Sequence, residues 1–251
     1  MSLQRKTTIQ CPKCQETIEV GMWQSLNAHM DPEAAKRLMK GEFFVVKCPK
    51  CGFSGAFEYP LLYNDMEHHM MIQLAAAQSE AELQEMIKAY REGFKETMDQ
   101  VEKMAGVNFK SDFRIVTSGA DLQEKALIIH AGFDDRAIEV MKFLLLAQVA
   151  EQNKDANFAF VRYYEEADGK RLFLFFDEKY QVGATVPFDQ ALYDMMKNDF
   201  DFSEVKDDII DMNWAVQFVQ KTIEAPGEEY FEGEFPIRPA SQLAVVVSSI
   251  R

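Results

Sequence analysis

The tetrapeptide Cys-Pro-Lys-Cys fills residues 11–14 and recurs letter for letter at residues 48–51, and it accounts for all four cysteines of the chain. A C-x-x-C turn sets two sulfurs on one side of a tight knuckle, and two such knuckles clasp one tetrahedral ion from opposite sides. Pro12 and Pro49 preset φ for the turn. Gly52 follows the second knuckle, where the chain leaves with φ > 0, and Gln15 stands at the equivalent place after the first. The pattern predicts Cys11, Cys14, Cys48 and Cys51 as the ligands of one structural zinc. The competing reading is a redox dithiol, which needs a single pair at a helix N-terminus. Here the pair is duplicated and a strand-like segment follows each copy. Four thiolates also close the coordination sphere and leave no water position, which argues against a catalytic ion.

Outward from the knuckles, "TTIQCP" and "QETIEV" read as strands entering and leaving the first, and "FFVVKCP" as a strand entering the second. The 33 residues between the knuckles exceed a compact ribbon loop, and "DPEAAKRLMKG" inserts a short helix there, with Pro32 in its first turn and Gly41 as its stop. "GAFEYPLLYND" and "HHMMIQLA" read as paired strands turning at residues 64–67. Ser79 and Glu82 have capping-box spacing at the head of a long helix that ends at Gly106. Its apolar face carries Leu83, Met86, Ile87, Tyr90, Phe94, Met98, Val101 and Ala105. "FRIVTS" is a strand, and two helices broken at Gly132 follow. The second, "DDRAIEVMKFLLLAQVAEQ", is apolar nearly all round its middle and reads as buried. A hairpin with a type I′ turn at Asp168-Gly169, a strand "YQVGATV" and two closing helices complete the body. Leu243 to Ser248 read as a docked edge strand, and its exchange between copies would give a symmetric homodimer.

The net charge is −14. Residues 1–55 carry a balance of +3 and the remainder −17, so a weakly basic head sits on a strongly acidic body. That distribution disfavours nucleic acid and points to a protein partner, since phosphate binders present a basic footprint. The opening "MSLQRKTTIQ" has no apolar h-region, and "VMKFLLLAQVA" is too short and too charged to span a bilayer. A cytoplasmic protein without membrane attachment is expected, where cysteines serve as metal ligands rather than disulfides.

The paired CPxC knuckles, the following "CGFSGAFEYPLLYND" and, more weakly, "GFDDRAIEVMK" resemble the bacterial and archaeal CpXC-domain family over roughly residues 7–130. The resemblance implies metal binding by the four cysteines. It implies no reaction, substrate or catalytic residue.

Other chemistry-bearing residues have structural explanations beside functional ones. His68 and His69 are adjacent in an expected strand, where their side chains would face opposite ways. His130 lies in an apolar helix, and His29 precedes one it would help to cap. Tyr59, Tyr63 and Asp65 make a ligand patch or a packed strand end with a turn aspartate. Asp135 and Glu139, spaced i, i+4 behind Asp134, make a carboxylate pair or a helix start, with Asp134 as N-cap and Arg136 and Lys142 as ion-pair partners.

The expectation is therefore an α+β protein: a zinc-ribbon-like β head over residues 7–77 and a helix-rich α+β body over 78–251. Its leading function is a non-enzymatic binding or scaffold module with one structural zinc held by the four cysteines. The rival is a hydrolase or other enzyme using Asp135, Glu139, Tyr63 and Asp65 in a head–body cleft.

Overall fold

The computed structural model describes residues 2–106, 111–152 and 157–224. The fold is α+β, and it divides into two compact units, Met1–Gly132 and Phe133–Arg251. The expected boundary near residue 77 falls between a strand and a helix of the first unit.

The first unit is built on a five-stranded sheet of β1 (Leu3–Gln10), β2 (Thr17–Asn27), β5 (Leu61–Asp65), β6 (Met70–Leu74) and β7 (Asp112–Val116), in the order β1-β2-β5-β6-β7. β1/β2 and β5/β6 are antiparallel, whereas β2/β5 and β6/β7 are parallel. The eleven-residue β2 serves two partners in succession. Its length pairs with β1, but only Ser25–Asn27 reach β5, so the upstream part of β1–β2 extends from the sheet as a two-stranded ribbon. A second small hairpin, β3 (Val45–Lys47) and β4 (Ser54–Ala56), forms its own two-stranded sheet.

Helices α1 (Pro32–Met39) and α3 (Gly119–His130) pack on each other, α1 also against β2 and α3 against β6. Burial of Leu26, Leu38, Leu61, Tyr63, Ile72, Leu74, Leu122 and Ala126 makes the core there. Alternation in β5 buries Leu61, Tyr63 and Asp65 and leaves Leu62 and Asn64 half-exposed, as a one-sided strand requires. The long helix α2 (Glu80–Ala105) starts as expected, with Ser79 accepting from the Glu82 N–H, and ends on Gly106 at φ 65°. Among the described residues of its apolar face only Ile87 is fully buried, and Phe94 stacks on Phe113 of β7 at 4.4 Å. Glu58 reaches the start of α3, where its Oε2 accepts from Gly119 N–H at 2.9 Å.

The second unit has a three-stranded antiparallel sheet of β8 (Phe160–Glu165), β9 (Arg171–Phe176) and β10 (Val182–Pro187), in the order β10-β9-β8. Helix α4 (Asp135–Gln152) packs on β8 and against α5 (Gln190–Asp199) and α6 (Met212–Glu224). Ile138, Val140, Met141 and Leu145 of α4 are buried, as its all-round apolar character predicts. The β8–β9 hairpin departs from the expected type I′ turn. Gly169 takes φ 86° while Asp168 does not turn positive, and the Gly169 N–H donates to Glu166 O at 2.9 Å. This is a three-residue loop whose last residue alone is left-handed. The strand expected at residues 243–248, and with it the tail exchange, lies outside the described residues.

Candidate metal centre

Each Cys-Pro-Lys-Cys is the tip of a hairpin: the first joins β1 to β2, the second joins β3 to β4. The two tips close by the same hydrogen bonds. Cys11 N–H donates to Glu16 O and Gln15 N–H to Cys11 O, at 2.8 and 2.9 Å. Cys48 N–H donates to Phe53 O and Gly52 N–H to Cys48 O, at 2.8 and 3.0 Å. Both exits use left-handed backbone, φ 60° at Gln15 and φ 70° at Gly52, so the first knuckle holds in a non-glycine residue the geometry the second holds in glycine.

The four Sγ atoms lie within 4.8 Å of one another. Cys11 and Cys51 are 3.7 Å apart, and so are Cys14 and Cys48, each pair bridging the two hairpins. A tetrahedral ion with metal–sulfur bonds of about 2.3 Å puts its sulfurs roughly 3.8 Å apart, so the two pairs that bridge the hairpins already stand at that spacing. All four cysteines are free thiols. Cys11 and Cys48 are buried and form, with Ile18, a small cluster flanked by Ile9, Val20 and Val46 and separate from the main core.

The thiols of the first knuckle are shifted in opposite directions. Burial raises the Cys11 thiol, but the backbone N–H groups of Cys14 and Lys13 outweigh it and bring it down to about 7. Cys14 receives the Glu16 N–H, yet burial and the neighbouring thiols push it up to about 12. A thiolate on Cys11 is favoured and its charge opposes ionisation of Cys14, an opposition that a bound cation would relieve. Lys50 stands beside the cluster, its ammonium 2.5 Å from Glu16, and the carboxylate first and then Cys14 and Cys48 hold its pKa up.

The other sequence candidates fall elsewhere. Tyr59 and Tyr63 are core residues, 6% and 1% exposed. Burial, then the charge of Asp65, raises the Tyr63 phenol. Asp135 and Glu139 are each 2% exposed in the second unit, and Lys142 Nζ sits 3.0 Å from Glu139 Oε2. Asp134 caps α4 by accepting from Arg136 N–H at 3.0 Å, and Arg136 and Lys197 also bind its carboxylate. His29 is exposed, and α1 starts from Asp31 instead. His68 and His69 are not in a strand. They lie in the turn between β5 and β6, with His69 at φ 52°, because Asp65 folds back to accept the His68 N–H and so ends the strand. The meeting of Asp65, His68 and His130 was not legible in the sequence, since it joins a turn to a helix end 62 residues on.

Two hairpin tips converge four thiols on one point, a donor set able to hold a metal ion. The family model described as CpXC protein matches residues 9–142, more than half of the chain, and the chain belongs to the CpXC family. No curated protein and no solved structure matches it. Among the described residues no helix is long and apolar enough to cross a membrane.

Proposed function

We propose that this chain is a non-enzymatic binding or scaffold protein of the cytoplasm whose Cys11, Cys14, Cys48 and Cys51 hold one structural zinc. The observation that carries the reading is the convergence of four sulfurs within 4.8 Å of one another from two otherwise separate hairpins, with the two bridging pairs at 3.7 Å. Zinc suits four thiolates and needs no redox partner. The closed donor set leaves no position for substrate, so the ion's work is to lock the ribbon formed by β1 and β2 to the small hairpin. β1 is an edge strand with residues 3–6 exposed, and an edge offers unpaired N–H and C=O groups to a partner chain. The acidic balance beyond residue 55 favours a protein partner over nucleic acid. The enzyme reading loses support where its carboxylates are: Asp135 and Glu139 are buried, and Glu139 is ion-paired to Lys142.

The test is metal analysis of protein purified without added metal, followed by capture of partners with intact protein and with Cys48→Ser. One zinc per chain and a partner retained only by the intact protein support the reading. Iron in place of zinc overturns the metal assignment, and turnover abolished by Asp135→Asn overturns the non-enzymatic one.

A further inference from the structure

A carboxylate and two imidazoles meet in the first unit, on elements other than the two knuckles. Asp65 closes β5 with its side chain turned to the buried side and only 4% of the residue exposed. Both of its oxygens are engaged by one residue. Oδ1 accepts from the His68 backbone N–H at 3.1 Å, and Oδ2 lies 2.9 Å from His68 Nδ1. A carboxylate accepts, so Nδ1 is the donor in this contact, and in the neutral ring that tautomer leaves the Nε2 lone pair for a ligand. This is how outer carboxylates hold histidine ligands, fixing the tautomer and making the ligating nitrogen more basic. The His68 side chain is 29% exposed, so solvent ions reach it. The ring of His130, the exposed last residue of α3, stands 6.4 Å from that of His68, centre to centre, at 70°.

We infer that His68 and His130 form an open two-imidazole site for a divalent transition ion, with Asp65 as the group that orients His68. An ion bonded to one nitrogen of each ring at about 2.0–2.1 Å holds the ring centres roughly 5 to 6.5 Å apart, the longer value for a near-linear pair. The observed separation sits at the wide end of that window, and rotation of the exposed His130 ring spans the rest. Imidazole donors suit nickel, copper and zinc, and water fills the remaining positions. The cysteine centre is closed and this site is open, so the chain would carry one resident ion and one exchangeable ion. The inference does not depend on what the cysteines hold or on the binding role.

The experiment uses the full chain with its cysteine centre loaded, titrated with Ni²⁺ by calorimetry. The expected result is one further Ni²⁺ per chain. His130→Ala should weaken it by about tenfold or more, because half of the protein donors are lost, and Asp65→Asn by about tenfold. Asp65 also secures the turn, so His130→Ala, which alters only an exposed helix end, is decisive. The chain has only four histidines, which makes His29→Ala and His69→Ala complete controls, both expected to bind like wild type. Absence of a further ion up to about 1 mM, unchanged affinity in His130→Ala, or loss in His29→Ala or His69→Ala instead would each overturn the assignment.

Discussion

The two knuckle exits are a natural substitution experiment, and its outcome can be worked from the backbone. Gln15 and Gly52 occupy equivalent places with φ 60° and 70°. An L-residue in the left-handed region costs roughly 1–2 kcal/mol, and glycine escapes this. No atom lies within 4 Å of where a Cβ on Gly52 would stand, so Gly52→Ala adds no clash and only backbone strain. Replacing glycine also restricts the unfolded chain, which returns about 0.4–1 kcal/mol. The net cost is about 1 kcal/mol. The knuckle is shaped as the metal binds, so the cost is read in metal affinity, where it amounts to about fivefold. The reverse change, Gln15→Gly, should tighten binding by a similar or smaller factor. Chelator competition on the full chain measures both. Unchanged affinity in Gly52→Ala would refute the strain argument, and so would a Gln15→Gly variant that binds more weakly than wild type.

Metal removal should act locally. Chelation or Cys48→Ser should abolish amide protection in the knuckles and the flanking β1–β2 ribbon, because the cysteine cluster is separate from the main core, while protection in α3 persists; hydrogen exchange reads both. Gly119→Ala should cost about 1–3 kcal/mol in denaturant unfolding, since its Cβ would stand 2.9 Å from Phe44 and from Glu58 Oε1, the carboxylate that caps the same helix. Burial raises the Asp134 carboxyl, but hydrogen bonds from Arg136 and Lys197 outweigh it and hold its pKa below the usual aspartate value. Its contribution is therefore fully present above about pH 4 and is lost as pH falls through the folded pKa. Asp134→Asn should lower the melting temperature at pH 7 and flatten its acid dependence, and equal slopes in the two proteins would contradict this.

The parts of the fold that follow from local chemistry were legible in the sequence. The cysteine spacing names the centre, Ser79 with Glu82 and Gly106 bounds α2, and the apolar middle of α4 marks it as buried. The site's third dimension was not. Periodicity shows that β1 and β2 are strands, yet only pairing shows that β2 changes partner at Ser25. The turn at His68 and His69 was hidden because "HHMMIQLA" continues an apolar strand pattern, and the reason it breaks lies in a hydrogen bond from His68 back to Asp65. Asp135 and Glu139 read as a carboxylate pair or a helix start with Lys142 as an ion-pair partner, and only the tertiary packing shows that Asp135, Glu139 and Lys142 are buried.

The two-partner strand has a mechanical consequence. From Thr17 to Gly21, β2 runs clear of β5 for roughly 15 Å at about 3.3 Å per residue, and beyond that Met22 and Trp23 pack on the core and Ser25–Asn27 are held by β5. It is an arm with the four thiols at its tip. Metal at the tip would set how stiffly the arm projects, and the main core is a cluster separate from the cysteines. With metal held by the four thiols, the compliance of this arm would follow metal supply while the main core, a separate cluster, stays folded.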